Sequence, residues 1–297
     1  MRDEAKVPSG QPDGRNRSIA DSGGGDDVDA PITEVTYRPS AAGLPFEALR
    51  LADLEARLGR RHLERLEQLR FDLVVIVTAG VGRHEVDFTP TTISPERVLH
   101  VRPGQVHRWV LDPPYEAVLL LFAPTPGRTE WAPGPSIIEL TEAQRHDLAP
   151  VLDLAVRPRR SGPRTPVAAE GLRLLTIDAL GLDRRRHPDV EPLHAELLAA
   201  LDADGYRNRS VAHHAARLGC SVRTLARACV RATGGGPKQV IDEATALAAQ
   251  RRLRLEGVTV GEVAQSLAFD EVTNFTKFFR RLTGETPSGW QRSAVPV

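Results

Sequence analysis

LGCSVRTLAR, at residues 218–227, and LAFDEVTNFTK, at residues 267–277, are two versions of one pattern about fifty residues apart. Each contains the end of a short helical stretch, a sharp turn and the start of a more basic helical stretch. After the turn, identical residues recur at the same offset: Arg231, Thr233, Gly234 and Pro237 correspond to Arg281, Thr283, Gly284 and Pro287. Two helices joined by a tight turn form a helix-turn-helix motif, and the sequence predicts this motif in duplicate.

Capping residues and apolar spacing define the helices of both units. In the first unit, Ser210 and Ser221 are the predicted N-caps, and Gly219 allows the turn. In the second unit, residues 259–262 (TVGE) fit a capping box, and Asp270 is the predicted N-cap of the second helix. The side chains expected to face inward are Leu225, Ala228, Cys229 and Ala232 in the first unit and Phe275, Phe278, Phe279 and Leu282 in the second.

A connecting helix is predicted over residues 237–255, with Ile241, Ala248 and Leu253 among its apolar residues. A rigid spacer of this kind can place two helices in successive major grooves of DNA, about 34 Å apart. The outward faces of the two second helices are therefore the candidate reading surface.

The outward positions carry side-chain types that bind DNA. Arg223 and Arg227 can each bond guanine bidentately, and Thr273 and Thr276 can contact thymine methyl groups or bond bases through their hydroxyls. Phosphate contacts are expected from the remaining outward arginines, Arg231, Arg280 and Arg281. For any one of these residues a solvated helix surface explains the pattern equally well, but for the two motifs together it does not.

Composition sets limits without naming a partner. A chain of 297 residues predicts two domains, and 41% hydrophobic residues suffice for two cores. The net charge is zero and only three of the 39 basic residues are lysines, so the position of the arginines matters more than their number. Cys220 and Cys229 are expected to be reduced, apolar residues. The sequence predicts neither a signal peptide nor a membrane span, so a cytoplasmic protein is expected.

Four segments are predicted along the chain: a disordered arm at 1–30, a β-rich regulatory domain at 31–135, a helical dimerisation or linker segment at 136–187, and a helical DNA-binding domain at 188–297. The arm is rich in Gly, Asp, Ser and Pro. Short apolar runs separated by turn signals predict a β-sandwich or barrel in the second segment, at 69–78, 83–88, 97–101, 106–111 and 117–122.

Two helices are predicted in the linker segment. The first begins at a capping box over residues 141–144 and carries the apolar stripe Leu148, Val151, Leu152 and Ala155. The second follows a Pro/Arg-rich break at 157–164, ends before a linker at 184–188, and carries the seam Ala168, Leu172, Leu175, Ala179 and Leu182. Apolar residues at this spacing can pack against another helix. Dimerisation through this seam and packing against the barrel are equal alternatives.

The motif FRRLTGETPSGW at residues 279–290 completes a pattern over residues 192–291 that resembles the AraC/XylS family of bacterial transcription regulators. The resemblance implies an α+β multidomain protein, with a cupin-like N-terminal β-barrel, linker helices, and an all-α C-terminal domain whose two helix-turn-helix units are joined by a helix. It implies base-reading positions at Arg223, Ala226, Arg227, Val272, Thr273, Thr276 and Lys277. Cys229 stands where the family usually has an aromatic, Thr245 where it has Arg or Lys, and His214 on an apolar face, so the first unit is expected to be looser.

The N-terminal segment has a candidate ligand site. Residues 101–109 (VRPGQVHRW) resemble the second motif of a cupin, and residues 82–88 would hold the first. Metal cupins need three or four converging ligands, whereas only His84 and His107 are present, so neither a metal nor another cofactor is expected. His84, His107 and Trp109 are the groups expected to meet a small effector, although Trp109 serves equally well as a core aromatic.

The leading interpretation is a sequence-specific DNA-binding transcription regulator, not an enzyme, controlled by a small molecule in the N-terminal barrel. The expected partners are double-stranded DNA at two adjacent major grooves, an unidentified effector, a second copy of the chain, and RNA polymerase, with no membrane. Two alternatives remain: a metal-dependent cupin enzyme with an appended helical module, and a DNA-binding regulator that needs no effector.

Overall fold

The computed structural model describes residues 16–18, 32–36, 46–123, 136–156, 171, 173–176 and 191–293. Most of the described chain before residue 140 is β-structure, and the part from residue 191 onwards is helix and turn. The predicted α+β class is therefore confirmed. The predicted arm, apart from residues 16–18, and the predicted linkers at 157–164 and 184–188 lie outside the described residues.

The strands form two sheets. The six-stranded sheet has the order β1 (Asn16–Ser18), β2 (Thr33–Thr36), β4 (Glu67–Leu69), β9 (Val106–Val110), β6 (Gly82–Val86) and β7 (Thr89–Ile93). The five-stranded sheet has the order β11 (Ile137–Glu139), β8 (Arg97–Val101), β5 (Asp72–Ala79), β10 (Glu116–Phe122) and β3 (Phe46–Arg50). Within the described chain the two sheets stay separate, so a single closed cupin-like barrel is not confirmed.

The five-stranded sheet is covered on both faces, which explains its continuous apolar runs. In β5, Leu73 and Val75 point into a core shared with the six-stranded sheet. Val74 and Ile76, on the opposite face, pack with Leu148 and its neighbours of the helix α3 (Glu142–Ala155). Two short helices that the sequence patterns did not reveal, α1 (Leu51–Leu58) and α2 (Arg60–Leu63), contribute leucines to the shared core.

The first linker helix is confirmed, and little of the second is described. Thr141 and Gln144 form the predicted capping box at the start of α3. Leu148, Leu152 and Ala155 are buried. Residues 171 and 173–176 are helical, with Leu175 56% exposed, and the rest of the predicted seam lies outside the described residues.

Seven helices make up the described C-terminal part: α4 (Pro192–Ala203), α5 (Val211–Arg217), α6 (Val222–Thr233), α7 (Pro237–Leu253), α8 (Val260–Ser266), α9 (Val272–Thr283) and α10 (Pro287–Arg292). The predicted connecting helix is α7, whose first turn begins with proline and whose later turns are rich in alanine, the strongest helix former. Val240 and Ile241 near its start pack in the first unit, and Ala249 and Leu253 near its end pack in the second. One helix therefore belongs to both cores.

The six-stranded sheet contacts the end of α7. The hairpin between β6 and β7 turns through Asp87 and Phe88, which have φ angles of 51° and 64°. Both carboxylate oxygens of Asp87 accept hydrogen bonds from Arg251, at 2.7 and 2.6 Å. Phe88 meets Trp290 edge to face, with ring centroids 5.0 Å apart. The β-domain is thus docked on the side of the helical domain that holds the second unit.

Candidate nucleic-acid interface and effector cavity

The first helix-turn-helix unit consists of α5 and α6, and its predicted caps are confirmed. The Ser210 hydroxyl accepts the His213 N–H at 3.3 Å, and the Ser221 hydroxyl accepts the Thr224 N–H at 3.1 Å. Gly219 has the positive φ of 65° that the turn between the helices requires. These local bonds fix where α6 starts, which sets the part of it that faces outward.

The second unit consists of α8 and α9. The capping box between Thr259 and Glu262 is present. The expected N-cap at Asp270 is wrong: α9 begins one residue later, after Glu271, and has no side-chain cap. The turn places Ala268, rather than a glycine, at a positive φ of 54°. An extra residue relative to the first unit is accommodated at this turn.

The inner faces agree with most of the predicted pattern. Leu225, Ala228 and Cys229 are buried, as are Phe275 and Phe279, whereas Phe278 and Leu282 are half-buried. Ala232 is exposed, contrary to expectation, because it lies in the last turn of α6 beyond the buried segment. Both cysteines are free thiols. His214 is fully buried and its Nε2 lies 2.8 Å from the carbonyl oxygen of Asn208, which gives it a structural role.

The outward faces of α6 and α9 present the predicted reading residues. Exposed side chains include Arg223, Arg227, Thr273, Lys277 and Arg280, together with the valines that begin each helix, Val222 and Val272. Ala226 and Thr276 are half-buried, and the Thr276 hydroxyl donates to the Val272 carbonyl at 2.9 Å. The exposed valines at these matching positions can contact thymine methyl groups.

Two predicted phosphate contacts, Arg231 and Arg281, are paired within the chain. Arg231 donates two hydrogen bonds to Glu191, at 2.8 and 2.9 Å. Arg281 donates to Asp242 at 3.1 Å, and Lys238 also contacts this carboxylate. The pairs are similar in position. Arg231 joins the last turn of α6 to Glu191, the N-cap of α4, and Arg281 joins the last turn of α9 to Asp242, in the first half of α7. A phosphate must compete with a carboxylate for either arginine.

Sequence reasoning missed Asn274. Its side chain is exposed in the first turn of α9, beside Thr273. Asparagine is the side chain that bonds adenine bidentately in the major groove. The repeat offset could have found it, because Asn274 corresponds to the exposed Thr224 of the first unit.

The structure brings His84, His107 and Trp109 together inside the β-domain. His84 Nε2 lies 3.0 Å from His107 Nδ1, and the Trp109 ring meets His84 edge to face. Burial, reinforced by the neighbouring His107, lowers the pKa of His84 well below its usual range. Burial lowers the pKa of His107 to about 4, against the opposing effect of Glu67. Both rings are therefore neutral at pH 7, and one donates to the other.

A small cavity lies beside this cluster. It is lined by leucines, Phe71, Trp109, His107 and Glu67, and His84 lies behind His107 rather than on the wall. The Glu67 carboxylate lies 3.9 Å from His107 Nε2 and 3.3 Å from His62 Nε2. The space open to the centre of a water-sized sphere is about 30 Å³, room for about two water molecules. Within the described ranges, no group of three or more His, Cys, Asp or Glu is arranged to hold a metal ion.

Comparison with known proteins agrees with the geometry of the C-terminal domain. Residues 214–293 match the family model described as a helix-turn-helix domain. The chain is similar to the uncharacterized HTH-type transcriptional regulator YidL of Escherichia coli (strain K12), with 27% identity over 199 residues, which are 66% of this chain and 67% of YidL. The matched domain contains both α6 and α9. The chain is a DNA-binding transcription regulator.

Its helix-turn-helix domain is of the AraC type, which confirms the resemblance to the AraC/XylS family. Among solved structures, the chain is similar to ToxT from Vibrio cholerae O395, with a TM-score of 0.41 and 10% identity over 77% of this chain and 92% of ToxT. A DNA-binding transcriptional dual regulator from Escherichia coli K-12 gives a TM-score of 0.31 and 21% identity over 33% of this chain and 88% of that chain. Another ToxT structure has an unsaturated fatty acid bound.

Among the described residues, no helix combines the length and the apolar composition needed to cross a membrane.

Proposed function

We propose that the chain reads a specific DNA sequence by placing α6 and α9 in two adjacent major grooves. The observation that carries the proposal is the sharing of α7 by two similarly built helix-turn-helix cores, each with an outward second helix. A recognition helix lies in the major groove with its N-terminal residues against the base edges. Two such helices on one spacer suit a site of two half-sites on one face of the duplex.

The roles proposed for the outward residues follow from their chemistry. Arg223 and Arg227 bond guanine, and Thr273 and Lys277 contact bases in the second groove. Ala226, Val272 and Thr276 complete the reading surfaces. Arg280 contacts phosphate directly, whereas Arg231 and Arg281 reach phosphate only when their carboxylate partners release them.

A footprinting experiment tests this proposal. DNA ligands are first selected from a random library with the full chain, and contacts are then mapped by chemical protection of guanine N7. We expect protection in two adjacent major grooves on one face. Protection in one groove only, or failure to enrich any sequence, would contradict it.

The β-domain is proposed to bind a small effector in the cavity beside His107. His107 Nε2 is buried without a hydrogen-bond partner in the described chain and faces the Glu67 carboxylate, while the other walls are mostly apolar. This combination suits a small apolar molecule whose single hydroxyl bonds both groups. The second candidate function, kept from the sequence, is a regulator that needs no effector.

Asp87 offers a route from this cavity to the helical domain. Its carboxylate accepts the backbone N–H of Val106, the residue before His107, at 3.1 Å, as well as the bonds from Arg251. A shift of β9 on ligand binding would therefore alter the contact with α7. This is the differential contact that effector control requires.

A thermal-shift screen of the full chain against small alcohols, sugars, acids and aromatics distinguishes the two versions. A hit should lose its shift in Glu67→Gln, which removes the charge beside His107, and keep it in Glu64→Gln, whose side chain pairs with Arg60 instead. A reproducible hit with this pattern would exclude the effector-free regulator. Absence of hits would support it.

The protein is proposed to be non-enzymatic, because a metal cupin needs three or four converging ligands and the two cupin-like motifs supply only His84 and His107. Metal analysis of the purified protein tests the rival, a metal-dependent cupin enzyme. Stoichiometric iron, manganese or zinc that is lost in His107→Gln would favour the enzyme.

We also propose that the chain divides into segments at residues 30, 135 and 187. The protein is proposed to be cytoplasmic, to form a homodimer and to contact RNA polymerase. Leu175, half exposed on a helical segment, supports dimerisation. Light scattering of the wild type and of Leu175→Glu tests it, with a shift from dimer to monomer expected.

A further inference from the structure

The two helix-turn-helix units are joined by a second connection besides α7. Arg209 immediately precedes Ser210, the N-cap of α5 in the first unit. Its guanidinium reaches the second unit and donates to the carbonyl oxygen of Leu267 at 2.6 Å and to that of Ala268 at 3.3 Å. It also lies over the Phe269 ring, 3.8 Å from the centroid.

These acceptors belong to the turn that aims α9. Leu267 and Ala268 follow the last residues of α8, where helix carbonyls have no partner within the helix and a cation is favourable. Phe269 packs against Phe275 and Phe278 of α9, with centroid distances of 5.3 and 5.1 Å. Arg209 therefore ties the start of the first unit to the base of the second recognition helix.

Arg252 forms a second side-chain connection between the two units. Near the end of α7, it donates to the Ser266 hydroxyl of α8 at 2.9 Å and to the Gly205 carbonyl of the first unit at 3.0 Å. Tyr206 packs against both cores between these two contacts. The units are thus linked by the side chains of Arg209 and Arg252, and Tyr206 packs in both of their cores.

We propose that Arg209, supported by Arg252, is a positioning residue that fixes the separation and orientation of α6 and α9, and so determines which half-site spacing the protein accepts. The inference rests on the proposed two-groove reading. Neither arginine needs to touch DNA. Each acts by limiting hinge motion at the junction of the units, in addition to the packing of α7 in both cores.

Half-site spacing is the informative variable, because inserting one base pair moves a half-site by about 3.4 Å along the duplex and rotates it by about a tenth of a turn. DNA selected with the wild-type full chain is rebuilt with one or two base pairs added or removed between the protected grooves. Dissociation constants are measured by fluorescence anisotropy at one salt concentration.

In Arg209→Ala we expect affinity for the selected spacing to fall about tenfold, as for the loss of charge-assisted hydrogen bonds. Affinity for the altered spacings should fall much less, so discrimination between spacings shrinks. Arg209→Lys keeps the charge but cannot match the planar two-carbonyl contact or the ring stacking, and should discriminate almost as poorly.

The matched control is Arg207→Ala, which removes the same charge from an exposed position two residues away. It should weaken binding equally at every spacing. If circular dichroism shows that Arg209→Ala is misfolded, Ser266→Ala serves instead, because it removes one hydrogen bond of Arg252. It should give a smaller loss of discrimination between spacings, in the same direction.

The outcomes separate the two proposals. If the wild type selects no DNA, or protects a single groove, the two-groove function fails and this inference with it. If the wild type protects two grooves but the folded Arg209 and Ser266 variants keep the full preference for spacing, the function stands and the inference is overturned.

Discussion

The two helix-turn-helix units share their helix lengths but differ in their caps and in what surrounds them. The first unit closes its core with Leu225 and Cys229. The second closes its core with Phe275 and Phe279, and its side of the domain receives Asp87 and Phe88 from the β-domain. The repeat therefore consists of one unit with a lightly packed core and one unit with an aromatic core that contacts the β-domain.

Similar sequence patterns in α6 and α9 therefore do not imply that the two units are held equally tightly. Both α6 and α9 are strongly amphipathic and both end at a left-handed glycine, Gly234 and Gly284. The aromatic core and the contacts with Asp87 and Phe88 add restraints to the second unit.

Truncation of the aromatic core should have the largest effect. Phe279→Ala is expected to cost about 3–5 kcal/mol of unfolding free energy, because the ring is fully buried against Phe275 and Trp290. The equivalent change in the first unit, Cys229→Ala, removes a single atom and should cost about 1 kcal/mol. Urea unfolding of both variants measures the contrast, and equal losses would remove the distinction between the units.

Acid should loosen the second unit before the first. The pKa of His107 falls to about 4 in the fold, and that of His84 is also lowered. As the pH falls, the unfolded state therefore binds protons before the folded state does. The part of the unfolding free energy that depends on neutral His107 is present above about pH 6.5 and is lost as the pH falls toward 4, by up to about 3 kcal/mol. As the β-domain weakens, contacts of Asp87 with Arg251 should open.

Hydrogen exchange at pH 7.5 and pH 5 checks this order. Protection of α10 and the end of α7 should fall more than protection of α6, and Arg251→Ala should reproduce the difference at pH 7.5. Uniform loss of protection in both units would contradict the docking asymmetry.

DNA affinity should depend more on the second reader. Lys277→Ala is expected to weaken specific binding about tenfold and Arg227→Ala about threefold, since a rigidly held helix loses less of its contact energy to motion. Gel-shift titration at fixed salt measures both. A larger loss at Arg227 would reverse the ranking.

The turns should give the smallest effect. Ala268→Gly relieves a positive φ of 54° and should stabilise the second unit by at most about 1 kcal/mol, because the flexible unfolded chain offsets part of the gain. Gly219→Ala imposes the same strain on the first unit, with open space around its new methyl group, and should destabilise it by about 1 kcal/mol. Thermal unfolding of the two variants should shift in opposite directions.

The helical domain was largely predictable because its information is local. Ser210, Ser221 and the Thr259 capping box mark helix starts in the sequence itself. The sequence did not reveal α1, which begins without a side-chain cap. It also did not reveal the pairing of Arg231 with Glu191, because a contact across forty positions depends on the tertiary fold. Likewise, His84 and His107 were identified by residue type, whereas Glu67 joined them only through the pairing of β4 with β9.

The edge of the six-stranded sheet has a consequence for assembly. The edge strand β7 contains Pro90, exposed and paired with Glu85 of β6. Proline has no backbone N–H, so this edge cannot present an unbroken row of donors to an incoming strand. Growth of the sheet by strand addition is blocked there, which protects a β-domain with an exposed rim from edge-to-edge aggregation.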